Sequence, residues 1–148
     1  MSTPFHFEWR VHYHETDQQG FVYHSRYLEY LDMAMIEFFR SRGWAYSNLI
    51  EAGFDPSVVE TTIKFKAPVR FDDQLRIRVS PSRVGYSSFS LSFSIRRELE
   101  ASPLLLATTT YVNVDAEHAT SKKIPEAVKA ILLKLIDVAH PEQNQIER

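Results

Sequence analysis

His14-Glu15-Thr16-Asp17-Gln18-Gln19-Gly20-Phe21-Val22-Tyr23-His24 is the stretch at which the chain changes from one periodicity to another. Before it, Phe5, Phe7, Trp9, Val11 and Tyr13 alternate with His6, Glu8, Arg10 and His12, the period-two pattern of a half-buried strand. After it, from Ser25 to about Arg42, the period becomes helical. Ala34, Tyr27, Phe38, Leu31, Met35, Leu28 and Phe39 then share an arc of roughly 140°, with Arg26, Glu29, Glu37 and Arg40 opposite. Gly43 suits a left-handed cap at the end of this helix. An apolar arc so wide and so aromatic predicts a helix wrapped by a sheet. Two carboxylates and two imidazoles thus fall at a strand-to-helix junction, beside helix amides that have no intrahelical partner.

Further along, strands dominate. A short helical turn is expected over Tyr46 to Ala52, closed by Gly53. Ile63, Phe65 and Ala67 then alternate with Thr62, Lys64 and Lys66, and Leu75, Ile77 and Val79 with Arg76, Arg78 and Ser80. Phe89, Leu91, Phe93 and Ile95 alternate with Ser90, Ser92, Ser94 and Arg96, and Leu104 to Val114 reads as a central strand. Turns are expected at Pro68 through Asp73, Pro81 to Gly85 and Glu100 to Pro103. Links this short imply antiparallel neighbours. Pro125 opens a second amphipathic helix carrying Val128, Ile131, Leu132, Leu135 and Ile136, and the polar residues 140–148 form a loose tail. The order predicts one α+β domain over residues 1–148, an antiparallel five-stranded sheet curled around one long helix, plus a C-terminal helix.

Composition narrows the function classes. The 148 residues are 44% hydrophobic and 24% charged, as in a soluble globular protein. Seventeen Lys and Arg against nineteen Asp and Glu give a net charge of −2, without the basic excess that nucleic acid or an anionic membrane surface selects. With no cysteine there is no disulfide framework, thiolate zinc site or thiol nucleophile. Neither an export signal nor a membrane span is expected, and a cytoplasmic location is the default. No Gly-x-Ser-x-Gly elbow and no glycine-rich phosphate loop is present. His12 and His14 share the polar face of the first strand without a second ligand pair, so no metal site is expected.

Asp17 carries two readings. Near a glycine, an aspartate commonly forms a turn or caps a helix. Here it also continues the odd, inward-facing register of the first strand, where a carboxylate is desolvated unless it has a task or a partner. The neighbouring helix start offers N–H donors near His24 and Ser25 to an anion.

The run Tyr13 to Tyr27 resembles the signature of the hotdog-fold acyl-CoA thioesterases of the 4-hydroxybenzoyl-CoA thioesterase family: an aromatic residue, Thr-Asp, Gly, two apolar residues, then aromatic-His and a nearby Tyr. Ile63 to Asp73 is similar to that family's strand, Ala-Pro turn and Asp-Asp step, above all in the bacterial branch associated with the Tol-Pal gene cluster. Gln18 and Gln19 depart from the small residues usual there. The resemblance implies Asp17 as the catalytic carboxylate, either nucleophile or general base. It implies a backbone N–H at Tyr23, His24 or Ser25 as oxyanion donor, with the His24 side chain orienting substrate or Asp17. Tyr13, Gly20, Tyr27, Val59 and Thr61 would line the substrate site, and Arg70, Arg83, Lys122 and Lys123 are candidates for the CoA phosphates. It further implies an acyl-CoA substrate, no cofactor, and a homodimer assembling to a homotetramer with the active site at the dimer interface. A carrier-protein thioesterase and a non-catalytic acyl-binding protein are the alternatives.

Overall fold

The computed structural model describes residues 4–136. Strand β1 (Phe5–Arg10) is followed by a 3-10 turn at Tyr13–Glu15, then helices α1 (Arg26–Arg40) and α2 (Tyr46–Glu51). Strands β2 (Pro56–Phe65), β3 (Gln74–Val84), β4 (Ser88–Arg97), β5 (Pro103–Asp115) and β6 (Thr120–Ser121) come next, and helix α3 (Glu126–Lys134) ends the described chain. The strands pair antiparallel in the order β1-β3-β4-β5-β2, and the two-residue β6 adds to β5. This is the hotdog arrangement that the resemblance implies, with a sixth, minimal strand beside the expected five. The expected tail at 140–148 lies outside the described residues.

Sequence alternation is cleanest in β4, although burial runs through both faces of this central strand. Phe89, Leu91, Phe93 and Ile95 belong to the apolar core, while Ser90, Ser92 and Ser94 occupy the alternate positions, as the period of two requires. Helix α1 lies against this core through Tyr27, Tyr30, Leu31, Ala34, Phe38 and Phe39, all buried. Phe39 sits edge-on to Phe54 at 5.4 Å and to Phe89 at 6.2 Å, and Phe89 stacks on Tyr111 at 4.8 Å. The helical arc is rotated slightly from its expected position. Tyr30 is fully buried, whereas Leu28 is 47% exposed. Tyr27, Tyr30, Leu31, Ala34 and Phe38 form the continuous i, i+3, i+4 stripe, and Leu28 falls beyond the reach of the sheet.

Three strand limits differ from expectation for identifiable reasons. β1 stops at Arg10 rather than Tyr13 because its partner β3 begins at Gln74, opposite Arg10. The His12 amide, left without a ladder partner, donates instead to the Glu15 carboxylate at 2.7 Å. Asp17 therefore does not continue the strand's inward register. β2 starts at Pro56, well before Thr62, because the long β5 pairs with it from Pro56↔Asn113 to Phe65↔Leu105. β3 continues through Pro81 to Val84. β1 has ended by then, with its last partner at Val79, and the register against β4 slips between Pro81 and Arg83. A proline with no amide to donate is accommodated at such a bulge on an edge.

One polar residue ties the far end of the sheet. Asn113 is fully buried. Its Oδ1 accepts from the Asp55 amide at 2.7 Å, and its Nδ2 donates to the carbonyls of Gly53 and Lys123, both at 3.0 Å. The segments before β2 and before α3 are thereby fixed to β5. Replacing Asn113 by Ala removes three part-buried hydrogen bonds and leaves three backbone groups without that partner. Equilibrium urea unfolding of Asn113→Ala is expected to show a loss of roughly 3 kcal/mol or more.

Candidate active site

The turn that carries Asp17 is built from its own backbone. The Asp17 amide donates to the Phe21 carbonyl at 2.7 Å, and the Gly20 amide donates back to the Asp17 carbonyl at 3.0 Å. Thr16 and Val22 bridge across the base of the loop, and the Thr16 hydroxyl donates to the Tyr13 carbonyl at 2.8 Å. Gly20 has φ +83°, the left-handed value that closes a short reverse turn of this kind.

The Asp17 side chain is half-buried, and its two oxygens are in different situations. Oδ1 accepts from the Gln19 amide at 2.8 Å and from the Phe21 amide at 3.2 Å. Oδ2 accepts no hydrogen bond from the described residues. The turn-forming and reactive readings of Asp17 are therefore compatible. One oxygen holds the carboxylate in place, and the other accepts nothing from the described residues.

The two segments that carry the resemblance meet here. The Val22 amide donates to the Val69 carbonyl at 2.8 Å, the Phe71 amide to Gly20 at 3.0 Å and the Val11 amide to Asp73 at 3.0 Å. Asp73 accepts from the Arg70 amide at 2.8 Å and pairs with Arg97 at 3.1 Å. The Arg70 guanidinium lies 4.6 Å from the Phe21 ring centre, a cation–π distance.

Helix α1 begins immediately after this turn. The Tyr23 amide is committed to the Glu15 carbonyl at 3.0 Å. The amides of His24 and Ser25 donate to no backbone carbonyl among the described residues. They stand at the positive end of the helix, where an oxyanion is stabilised.

Beside them opens a cavity of about 360 Å3, lined by Phe21, Val22, His24, Tyr27, Phe65, Lys66, Ala67 and Pro68. Burial raises the Tyr27 phenol from its ordinary value, so the hydroxyl stays protonated. The cavity is largely apolar, as an acyl group needs.

Of the residues singled out in the sequence, the structure brings His24 and Tyr27 into the cavity wall, with Asp17 and Gly20 in the adjoining turn and Ser25 at the helix start. Tyr23 packs its ring 4.5 Å from that of His24. Tyr13 is 75% exposed and leans on Phe71 at 5.8 Å, away from the cavity lining. Val59 and Thr61 lie midway along β2, with Thr61 facing Thr109 at 3.3 Å.

Arg70 adjoins the turn, but Arg83, Lys122 and Lys123 sit at the other end of the protomer. Arg83 donates to the Ser88 hydroxyl at 3.0 Å, and Lys123 pairs with Glu126 at 2.8 Å. The length of β3 separates Arg83 from the Arg70 end by about 30 Å.

Sequence reading did not single out the cavity residues Phe21, Phe65 and Pro68. Their signals were the Ala67-Pro68 step and the apolar register of Ile63, Phe65 and Ala67. No cluster of three or more His, Asp or Glu suited to a metal occurs among the described residues, and no described helix is long and apolar enough to cross a membrane.

A sheet curled around one helix, with a carboxylate turn and a free helix start opening on an apolar cavity, defines a hotdog-fold protein with an acyl-sized site. The profile of the Thioesterase-like superfamily matches residues 11–132, and the chain belongs to that family. It is 31% identical to acyl-CoA thioesterase YbgC of Haemophilus influenzae over 131 residues, 88% of this chain and 95% of the relative. The gentisyl-coenzyme A thioesterase BH1999 superimposes with a TM-score of 0.74 at 27% identity, covering 84% of this chain and 98% of that one. The 1,4-dihydroxy-2-naphthoyl-CoA thioesterase of Synechocystis shares the fold with a TM-score of 0.79 at 24% identity, covering 94% and 100%.

A Cβ at Gly20 would meet nothing within 4 Å, so the backbone alone demands glycine there. Gly20→Ala is expected to cost about 1–2 kcal/mol from the left-handed conformation. A thermal melt that matches wild type would contradict this.

Proposed function

We propose that the chain is an acyl-CoA thioesterase that hydrolyses the thioester to a free acid and CoA. The observation that carries this reading is the division of labour in the Asp17 carboxylate. Oδ1 is tied to two amides, and among the described residues Oδ2 accepts no hydrogen bond and the His24 and Ser25 amides at the adjacent helix start have no backbone partner. Relatives named acyl-CoA thioesterases at 30–31% identity support the same substrate class.

In this reading the thioester carbonyl lies between Asp17 and the start of α1, with the acyl group against Phe21, Tyr27 and Phe65. The His24 amide, with Ser25 next to it, donates to the developing oxyanion, and the Tyr23 amide holds the helix start to Glu15. Two routes use the free oxygen. Asp17 attacks the carbonyl and forms a mixed anhydride that water opens, or it takes a proton from the attacking water. A single turnover in 18O-labelled water identifies one of them. Unlabelled Asp17 oxygen in the first acid product requires nucleophilic attack with water opening the anhydride at the aspartyl carbon, whereas solvent oxygen there fits general-base catalysis or opening at the acyl carbon.

The same proposal includes a homodimer formed through β2. Among the described residues this strand pairs on one side only, and Val58, Val59 and Phe65 are each more than half exposed. Such an edge is a template for a second copy. Antiparallel pairing of two β2 edges would bring the partner's Val59 and Thr61 towards the open side of the cavity. It would also carry the partner's Lys122 and Lys123 nearer Arg70, where CoA phosphates would lie. Assembly to a tetramer, a single cytoplasmic domain with no metal or cofactor, and membership of the Tol-Pal-associated branch complete the reading. The motif likeness supports the last of these.

Thiol release from a panel of aromatic, short and medium acyl-CoA esters tests the function. Wild type is expected to turn over at least one ester, and Asp17→Asn to lose on the order of 10²–10⁴-fold in rate. Full activity in Asp17→Asn removes Asp17 from the mechanism. Turnover on an acylated carrier protein alone, or binding without turnover on either, would replace the CoA reading with the corresponding alternative.

A further inference from the structure

Glu15 reads in the sequence as one more polar residue in a polar run, yet it is only 4% exposed. Its Oε1 accepts from the Trp9 indole at 3.1 Å and from the His12 amide at 2.7 Å, and the His12 Nδ1 lies 3.7 Å away. The Trp9 ring stacks on His12 at 4.8 Å and meets Tyr30 of α1 at 6.4 Å. The Tyr30 hydroxyl is buried without completing a well-directed hydrogen bond. Burial, and after it the neighbouring Glu15 charge, pushes the phenol up from its ordinary value. The backbone of the same residue accepts the Tyr23 amide at 3.0 Å. Glu15 thus touches β1 through its side chain and the start of α1 through its carbonyl, two residues before Asp17.

We infer that Glu15 is a positioning residue: its buried carboxylate anchors the Asp17 turn and the first amides of α1 to Trp9 of β1. A buried carboxylate is retained only where donors surround it, and those present are the Trp9 indole of β1 and the His12 amide just ahead of the 3-10 turn. Without the anchor the turn keeps its internal hydrogen bonds but loses its fixed relation to the helix start. A gap of about 1 Å between Asp17 and the oxyanion donors is enough to cost about 10²-fold in rate. The kinetic consequence rests on the thioesterase reading. The structural consequence does not.

Three variants test it, with kcat and KM on the best acyl-CoA ester and residue-resolved amide exchange. Glu15→Gln keeps an acceptor for Trp9 and His12 and is expected to retain kcat within about threefold and wild-type exchange. Glu15→Ala is expected to lose about 10²-fold in kcat with little change in KM. The Phe21 and Tyr23 amides should exchange on the order of tenfold faster in it, while β4 amides keep their protection. Trp9→Phe, which leaves Glu15 in place and removes one donor, should move exchange in the same direction and serves if Glu15→Ala does not fold. Wild-type kcat and exchange in Glu15→Ala, or in Trp9→Phe where Glu15→Ala is unfolded, would overturn the inference. So would Glu15→Gln as impaired as Glu15→Ala. If wild type releases no thiol from any ester, the thioesterase reading fails, and amide exchange alone then decides the role of Glu15.

Discussion

The hydrogen bond from the Tyr23 amide to the Glu15 carbonyl, 3.0 Å long, closes the loop on which the rest of the site depends. On one side of it the chain leaves β1 through a 3-10 turn. On the other it enters the helix that the sheet encloses. The face of the helix that meets the sheet is apolar, and its N-terminus is where that face adjoins polar groups, because its first amides lack intrahelical partners. Closing the loop at Tyr23 leaves the next two amides without a backbone partner among the described residues and folds the Asp17 turn back beside them. The cavity between Phe21, Tyr27 and Phe65 then supplies the apolar surface that a thioester's acyl group requires.

Within the loop, the structural use of the Asp17 carboxylate occupies only one of its oxygens among the described residues. An aspartate two to four residues ahead of backbone amides usually spends its oxygens on the turn. Asp17 does so with Oδ1 alone. That pairing fixes the direction of Oδ2 without recruiting a separate residue, and the left-handed Gly20 makes so short a loop possible. Glu15 extends the same economy. Its side chain reaches β1, its carbonyl reaches the start of α1, and its position two residues from Asp17 links both to that carboxylate turn.

Much of this architecture was legible in the sequence where period and burial coincide. Phe89 to Ile95 and Tyr27 to Phe39 declared a strand and an enclosed helix, because each had one strongly apolar face. The resemblance of Tyr13 to Tyr27 located the carboxylate turn. What escaped was decided by partners distant in sequence. β1 ends where β3 begins, β2 begins where β5 offers it a partner, and Pro81 stays in a strand although β1 no longer pairs there. Asn113 and Glu15 look ordinary in sequence, since nothing local reveals that a polar side chain will be surrounded by donors and acceptors from other segments. Leu28, expected in the apolar arc, is exposed, and Tyr30, which the arc did not include, is buried, because the wheel gives the width of an apolar arc but not the edge of the sheet that covers it.

The most direct measurement is a crystal structure of the protein with a non-cleavable acyl-CoA analogue in which a methylene replaces the thioester sulfur. The account predicts the ketone oxygen at about 3 Å from the His24 amide, with Asp17 Oδ2 within about 3.5 Å of the carbonyl carbon or of a water poised on it. An analogue whose carbonyl is bound away from both Asp17 and the start of α1 would contradict it.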